Sequence, residues 1–199
     1  MLIYGAGGHA RVLISCLKAN RLPVDAIFDD DETRHQILDY KVDGVYQSDK
    51  YPGTPILIAI GSNQLRYQIA KRIRHPFGIQ VHPSALVDES VKIGAGSVIL
   101  HGSIIQTGAK IGEQVIINTG ARIDHDCFIA DYVHIAPGSI LCGHVEIGAF
   151  TLVGAGSVVI PGIKIGMHCR IAAGSIITRN IPDGSVVRGN PGRIIKSLF

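Results

Sequence analysis

The chain has 199 residues, 46% of them hydrophobic but only 6% aromatic, with 24 glycines and no tryptophan. Such an aliphatic, glycine-punctuated composition suits a repetitive β structure better than an ordinary globular core. A formal charge of +3, with no basic run or aromatic-interleaved basic stripe, argues against a nucleic-acid partner, and no window approaches the roughly 20 apolar residues that a bilayer span needs, so no membrane insertion is expected.

Leu2 to Tyr4 is a short apolar run, Gly5-Ala-Gly-Gly-His9 a glycine loop, and Ala10 to Ala19 a helical pattern with Val12, Leu13, Cys16 and Leu17 on one face. This start lacks the charged region and the length of a secretory signal, so a cytoplasmic location is the expectation. A second apolar run, Val24 to Phe28, ends in Asp29-Asp30-Asp31. Pro55 to Gly61 reads as a buried strand leading into a helix from about Asn63 to Arg74, which His75-Pro76 breaks. Strands alternating with helices predict a small Rossmann-like parallel α/β domain over residues 1–76.

Gly5-x-Gly7-x-x-Ala10 between strand and helix has the form of a fingerprint in which backbone approaches a phosphate at a helix N-terminus. A dinucleotide needs two mononucleotide halves, and about 75 residues leave room for one. A mononucleotide or sugar-nucleotide half-site fits that room, with a nicotinamide dinucleotide site and a plain tight turn as the alternatives. Asp29 and Asp30, at the end of the second strand, are placed to bond a ribose or base, and Gly61 ends the next strand on the same edge.

From Val81 to Ile177 every sixth residue is aliphatic, seventeen positions without a slip in phase, and the residue four places after each is small or modest in size. Glycines fall between them, directly after the aliphatic residue or three after it, and read as corners. A period of six excludes an amphipathic helix and a hairpin array. It predicts a triangular coil with one hexapeptide per side over residues 77–199. Cys16, Cys127, Cys142 and Cys169 are scattered, without a C-x-x-C pair, and are read as reduced, structural thiols.

The segments Ile-Gly-Ala-Gly-Ser-Val from Ile93, Val-Gly-Ala-Gly-Ser-Val from Val153 and Ile-Ala-Ala-Gly-Ser-Ile from Ile171 resemble the hexapeptide repeat of the left-handed β-helix acyltransferases. With Tyr4-Gly5-Ala6-Gly7-Gly8-His9 in front, the whole chain resembles the sialic acid O-acetyltransferase-like (NeuD/PglD-type) sugar acyltransferases, which include UDP-4-amino-sugar N-acetyltransferases. The resemblance implies a left-handed parallel β-helix of five to six turns, a homotrimer with active sites at subunit interfaces, and acetyl-CoA as co-substrate. It implies that Gly7, Gly8, His9, Asp29, Asp30 and Gly61 contact the UDP portion of a UDP-linked amino sugar.

The segment Asn118-Thr119 to His125-Asp126-Cys127 matches the family's Asn-Thr…His-Glu-Cys, which makes His125 the general base. Asp126 stands where the family has Glu, and Asp124 is a rival partner for the imidazole. By the same carry-over His134 contacts acetyl-CoA, Ala155 and Ala173 line the pantetheine groove through backbone groups, and Gly143 is an oxyanion or close-approach position. The stretch Ile181 to Arg193 resembles the family's closing motif, with Gly192 in place of Ala. Arg188, Arg193, Lys164 and Arg170 are candidates for the CoA phosphates.

Acyl transfer needs a base near its pKa and an oxyanion donor, not a metal. Coil histidines, among them His101, His125, His134, His144 and His168, do raise a zinc reading, because the γ-class carbonic anhydrases hold zinc between subunits of the same coil with three histidines. Their acidic and Gln-bearing signature is missing, so no metal is expected, and His101, His144 and His168 are read as solvated corner residues. The expected activity is acetyl-CoA-dependent N-acetylation of the 4-amino group of a UDP-linked amino-deoxysugar by direct transfer. Alternatives are O-acetylation of sialic acid or another sugar, a zinc lyase, and a non-catalytic nucleotide-binding scaffold.

Overall fold

A computed structural model describes residues 1–197. The N-terminal part is a three-stranded parallel sheet, β1 (Leu2–Tyr4) lying between β2 (Ala26–Phe28) and a later strand, Ile56–Ile58, with α1 (Gly8–Ala19) after β1. All nine strand residues are buried, as a sheet covered on both faces requires. A small hairpin, β3 (Gln36–Ile37) with β4 (Tyr40–Lys41), follows β2 and was not legible in the sequence. Then come β5 (Ile56–Ile58) and α2 (Asn63–Ala70). α2 ends at Ala70 rather than near Arg74. The N–H groups of Arg72 and Ile73 bond the carbonyls of Ile69 and Ala70, three residues back, which tightens the last turn ahead of Pro76.

The rest is a left-handed parallel β-helix of about six turns. Seventeen two-residue strands among the described residues, from β6 (Gln80–Val81) to Ile176–Ile177, stack into three sheets. Neighbours in a sheet are 18 residues apart, as in Ile105 opposite Ile123 opposite Leu141. The in-phase aliphatic residues point inward and are buried from Ile99 onward. The small inward residues have a polar reason as well as a steric one. Hydroxyls of Ser97, Ser103, Ser139, Thr151 and Ser157 each donate to the carbonyl fifteen residues on, at 2.7–3.0 Å, which satisfies buried polar atoms where the chain turns.

The two kinds of corner glycine have different causes. Gly120, three after the aliphatic residue, sits at φ +66, in the left-handed region. Gly148, directly after it, is needed for closeness: a Cβ there would lie 2.5 Å from the backbone of Gly166 in the next turn. At six corners the left-handed position carries a side chain instead: Gln114, Asp126, Tyr132, His144, Phe150 and His168, with φ between 54 and 62°.

The α/β unit covers one face of the prism. Along that face the outward column reads Gln80, Val98, Ile116, His134, Leu152, Arg170. Val98 and Ile116, with Leu100, are buried in one cluster with Ile3, Leu13 and Leu17, each burial contributing about 1.5–3 kcal/mol. α2 rests on an adjoining corner, where Tyr67 meets Tyr132 and Phe150 edge-on, while Tyr132, Phe150 and His168 stack as a ladder. The hairpin of Ser185–Arg188 with Arg193–Ser197 closes the far end. Among the described residues no helix is long and apolar enough to cross a membrane.

Candidate active site

The vertex of the prism opposite the covered face carries His125. Its Nδ1–H donates to Asp126 Oδ2 at 2.9 Å, and its backbone N–H donates to Asp124 Oδ1 at 2.8 Å. The two aspartates thus divide the roles the sequence left open: Asp126 holds the ring and Asp124 holds the main chain. The hydrogen bond His125 donates to Asp126 raises the His125 pKa above its ordinary 6.5, and the charges of both carboxylates add to it. The bond to His125 in turn holds the Asp126 carboxyl below its usual range.

With Nδ1 bonded to a carboxylate, Nε2 bears the lone pair. Nε2 lies over Gly143 of the next turn, where a Cβ would come within 2.5 Å of it. Gly143 therefore acts by absence, leaving the ring its place. His144, read from sequence as a solvated corner residue, turns its Nε2 to within 3.8 Å of Asp126 Oδ2, and its ring meets that of His125 edge to face.

A second cluster lies where the α/β unit meets the coil. His134 Nδ1–H donates to the Gly61 carbonyl at 3.3 Å, and its Nε2 accepts from the Asn118 amide at 3.1 Å, which fixes one neutral tautomer. Burial and the neighbouring Arg66 charge lower the His134 pKa to about 4. His9 is lowered to about 4 by burial and by the charges of His134 and Arg66, and its Nε2 is buried without a hydrogen-bond partner among the described residues.

Arg66, on α2, is 1% exposed. Its guanidinium donates to the carbonyls of Gln114, Ile60 and Tyr132 and to Asn63 Oδ1, all within 3.1 Å, and so ties the Gly61 loop to two turns of the coil. Arg66, Ile69 and Ala70 share the buried stripe of α2, a burial that the sequence does not signal for a cation.

At the glycine loop, Ala6, Gly7, Gly8, Arg11, Arg34 and the β3–β4 hairpin line a cleft of ≈ 530 Å³. Asp29 accepts the Ala6 N–H at 2.6 Å and the Asp31 N–H at 2.9 Å, so both of its oxygens shape the loop. Asp30 pairs with Arg72 at 3.0 Å. Arg11 and Arg34, neither singled out from sequence, are the cations beside Gly7 and Gly8. A further cleft of ≈ 500 Å³ runs from Gly61–Gln64 to Phe150, Leu152 and Arg170.

Ala155 and Ala173 are exposed and stack one turn apart at a third corner. Arg170, Arg188 and Arg193 are exposed and Lys164 pairs with Glu146. The structure thus brings Gly61, His9 and His134 together, and His125, Asp126 and Gly143 together. The two groups lie on opposite sides of one chain.

Residues 1–73 match the PglD N-terminal domain family, and residues 144–179 match the bacterial transferase hexapeptide (six repeats) family. A crystal structure of a mutant of perosamine N-acetyltransferase from Caulobacter crescentus, in complex with CoA and GDP-perosamine, is 35% identical with a TM-score of 0.94 over 98% of this chain and 96% of that one. The acetyltransferase domain of PglB from Neisseria gonorrhoeae is 31% identical with a TM-score of 0.90 over 98% of both chains. The UDP-N-acetylbacillosamine N-acetyltransferase of Bacillus subtilis is 42% identical over 52 residues, 25% of this chain and 24% of that protein. The chain spans 21–24% of the length of the curated relatives it matches.

Proposed function

Because the chain belongs to the NeuD/PglD-type sugar acyltransferases, we propose that it transfers the acetyl group of acetyl-CoA to the 4-amino group of a nucleotide-linked amino-deoxysugar, UDP-linked in the leading reading. Residues 1–76 bind the nucleotide and residues 77–199 carry out transfer. The observation that carries this reading is the His125 pair: a carboxylate on Nδ1, a lone pair on Nε2, and a Gly143 that leaves Nε2 uncrowded.

The amine nitrogen attacks the thioester carbonyl, and its N–C bond forms as its proton passes to His125 Nε2. The C–S bond then breaks, and the sulfur leaves with that proton as free CoA thiol. Asp126 keeps the imidazole in the productive tautomer and raises its basicity.

Within one chain the nucleotide half-site and His125 are separated by the width of the prism. Transfer therefore uses His125 of one copy and the Gly61–His134 side of another, in a homotrimer. An outward row of Leu86, Ile104, Ile140, Val158 and Ile176, interrupted by Arg122, supplies apolar surface for that association.

Thiol release from acetyl-CoA with UDP-linked and GDP-linked 4-amino sugars tests the acceptor. The GDP-perosamine complex of the Caulobacter relative supports the GDP-linked alternative. Turnover with sialic acid and with neither amino sugar would overturn N-acetylation. Mixing His125→Asn with His134→Asn subunits tests the shared site: restored turnover supports it, and none after verified subunit exchange refutes it.

A further inference from the structure

Outside the prism, His125, Asp126 and His144 each offer one ligating atom, and the three atoms lie within 4.8 Å of one another. Asp126 Oδ2 is 2.9 Å from His125 Nδ1 and 3.8 Å from His144 Nε2. The second gap is too long for a hydrogen bond. Two ligands of a tetrahedral zinc ion, with bonds of about 2.0–2.2 Å, stand roughly 3.3–3.6 Å apart. Both gaps lie within about half an ångström of that separation.

Two imidazoles and one carboxylate form the donor set of zinc and its neighbours, whereas calcium and magnesium take oxygen. The backbone under the set is fixed. Asp126 and His144 occupy the same left-handed corner position one turn apart, at φ 56 and 59°, and the His144 N–H donates to the His125 carbonyl at 3.0 Å. All three side chains are exposed on the single chain, which leaves coordination positions on the side that faces away from it. The Asp124 carboxylate, held on the His125 N–H, adds negative charge to the same vertex.

We infer that this vertex is an inhibitory binding site for a divalent transition-metal ion of the zinc type. The inhibitory part rests on His125 being the base. An imidazole that ligates through one nitrogen carries its hydrogen on the other, so it has no lone pair left to accept the amine proton. The ion also draws Asp126 away from the ring it orients. Metal occupancy and acetyl transfer are therefore mutually exclusive at His125.

Calorimetric titration of tag-free protein with zinc chloride tests the site directly, alongside thiol release with and without zinc and a chelator. One ion per chain is expected, with turnover lost on binding and recovered on chelation. In His144→Asn, which keeps a residue tolerant of positive φ, zinc binding should weaken tenfold or more and inhibition should fall in parallel. Failure of the wild-type protein to bind zinc, or unchanged binding in His144→Asn, would overturn the site. Binding without inhibition would overturn the inhibitory role and count against His125 as base. If His125→Asn retains full turnover, the base assignment fails separately, and the calorimetry alone still decides whether the metal site exists.

Discussion

Replacing Arg66 by methionine keeps a long apolar stem on α2 and removes the guanidinium. Four bonds at or below 3.1 Å are lost, to the carbonyls of Gln114, Ile60 and Tyr132 and to Asn63 Oδ1. Hydrogen bonds from a charged donor contribute about 1.5–3 kcal/mol each, roughly 6–12 in all. Against this stands the burial of the charge. It pulls the Arg66 pKa down from its ordinary value to about 10, equivalent to about 3 kcal/mol. The net loss is therefore about 3 kcal/mol or more. For a chain of this size that lowers Tm by roughly 6–12 °C or more.

Circular dichroism melts measure the drop, and hydrogen exchange at Gly61–Asn63 shows whether the loosening begins at the junction. Kinetics should show kcat/KM falling too, because the Gly61 carbonyl that holds His134 loses its anchor. A Tm within about 2 °C of wild type would refute the claim that the guanidinium bonds outweigh the cost of burying it.

At the proposed base, Asp126→Asn removes the carboxylate that raises the His125 pKa. In the proposed reaction His125 takes the amine proton in its neutral form, so activity should rise with pH through that pKa. The acid limb of kcat/KM should therefore move to lower pH in Asp126→Asn while its plateau drops at least about tenfold; an unmoved limb would show that Asp126 does not tune the base. Gly143→Ala places a Cβ 2.5 Å from Nε2. Displacing the ring by about 1 Å should cost roughly 100-fold in kcat with little change in Tm, and full activity would remove Gly143 from the site. Burial holds His9 and His134 near pKa 4 in the folded chain, below the ordinary 6.5. Between those values the unfolded chain binds more protons, so stability is complete above pH 6.5 and declines as pH falls toward 4, by about 3 kcal/mol per histidine at most. Urea midpoints across that range should show the decline, and His134→Gln should flatten it.

The coil was legible because its rule is repeated seventeen times and each inward position obeys the same steric demand. A single exception would not have hidden it. Arg66 escaped notice for the opposite reason: a cation on an amphipathic helix is ordinarily solvated, and this one becomes a clamp only once Gln114 and Tyr132, 48 and 66 residues away, are folded against it. Asp29 shows another limit. A carboxylate at a strand end suggests a ribose partner, yet which donors it meets depends on the loop path, and here the Ala6 and Asp31 amides reach it.

His144 was arithmetically visible, eighteen residues from Asp126, and both stand where most corners have glycine. A side chain that accepts the left-handed conformation in place of glycine carries a strain of about 1–3 kcal/mol, a common mark of function. Tyr132, Phe150 and His168 bear the same mark and build the ladder against α2.

The corner columns impose a grammar on how such a chain can change length. Six added residues leave every aliphatic side chain inside and the coil intact, but they rotate all later corners by one face. Placed between Asp126 and Gly143, they would carry Gly143 and His144 away from His125 without unfolding anything. Eighteen added residues restore the corners to their columns, although a new turn then intervenes between Asp126 and His144. Inserted beyond His144, the same eighteen lengthen the prism and leave the vertex untouched. The fold counts its sequence in sixes, and the site counts it in eighteens.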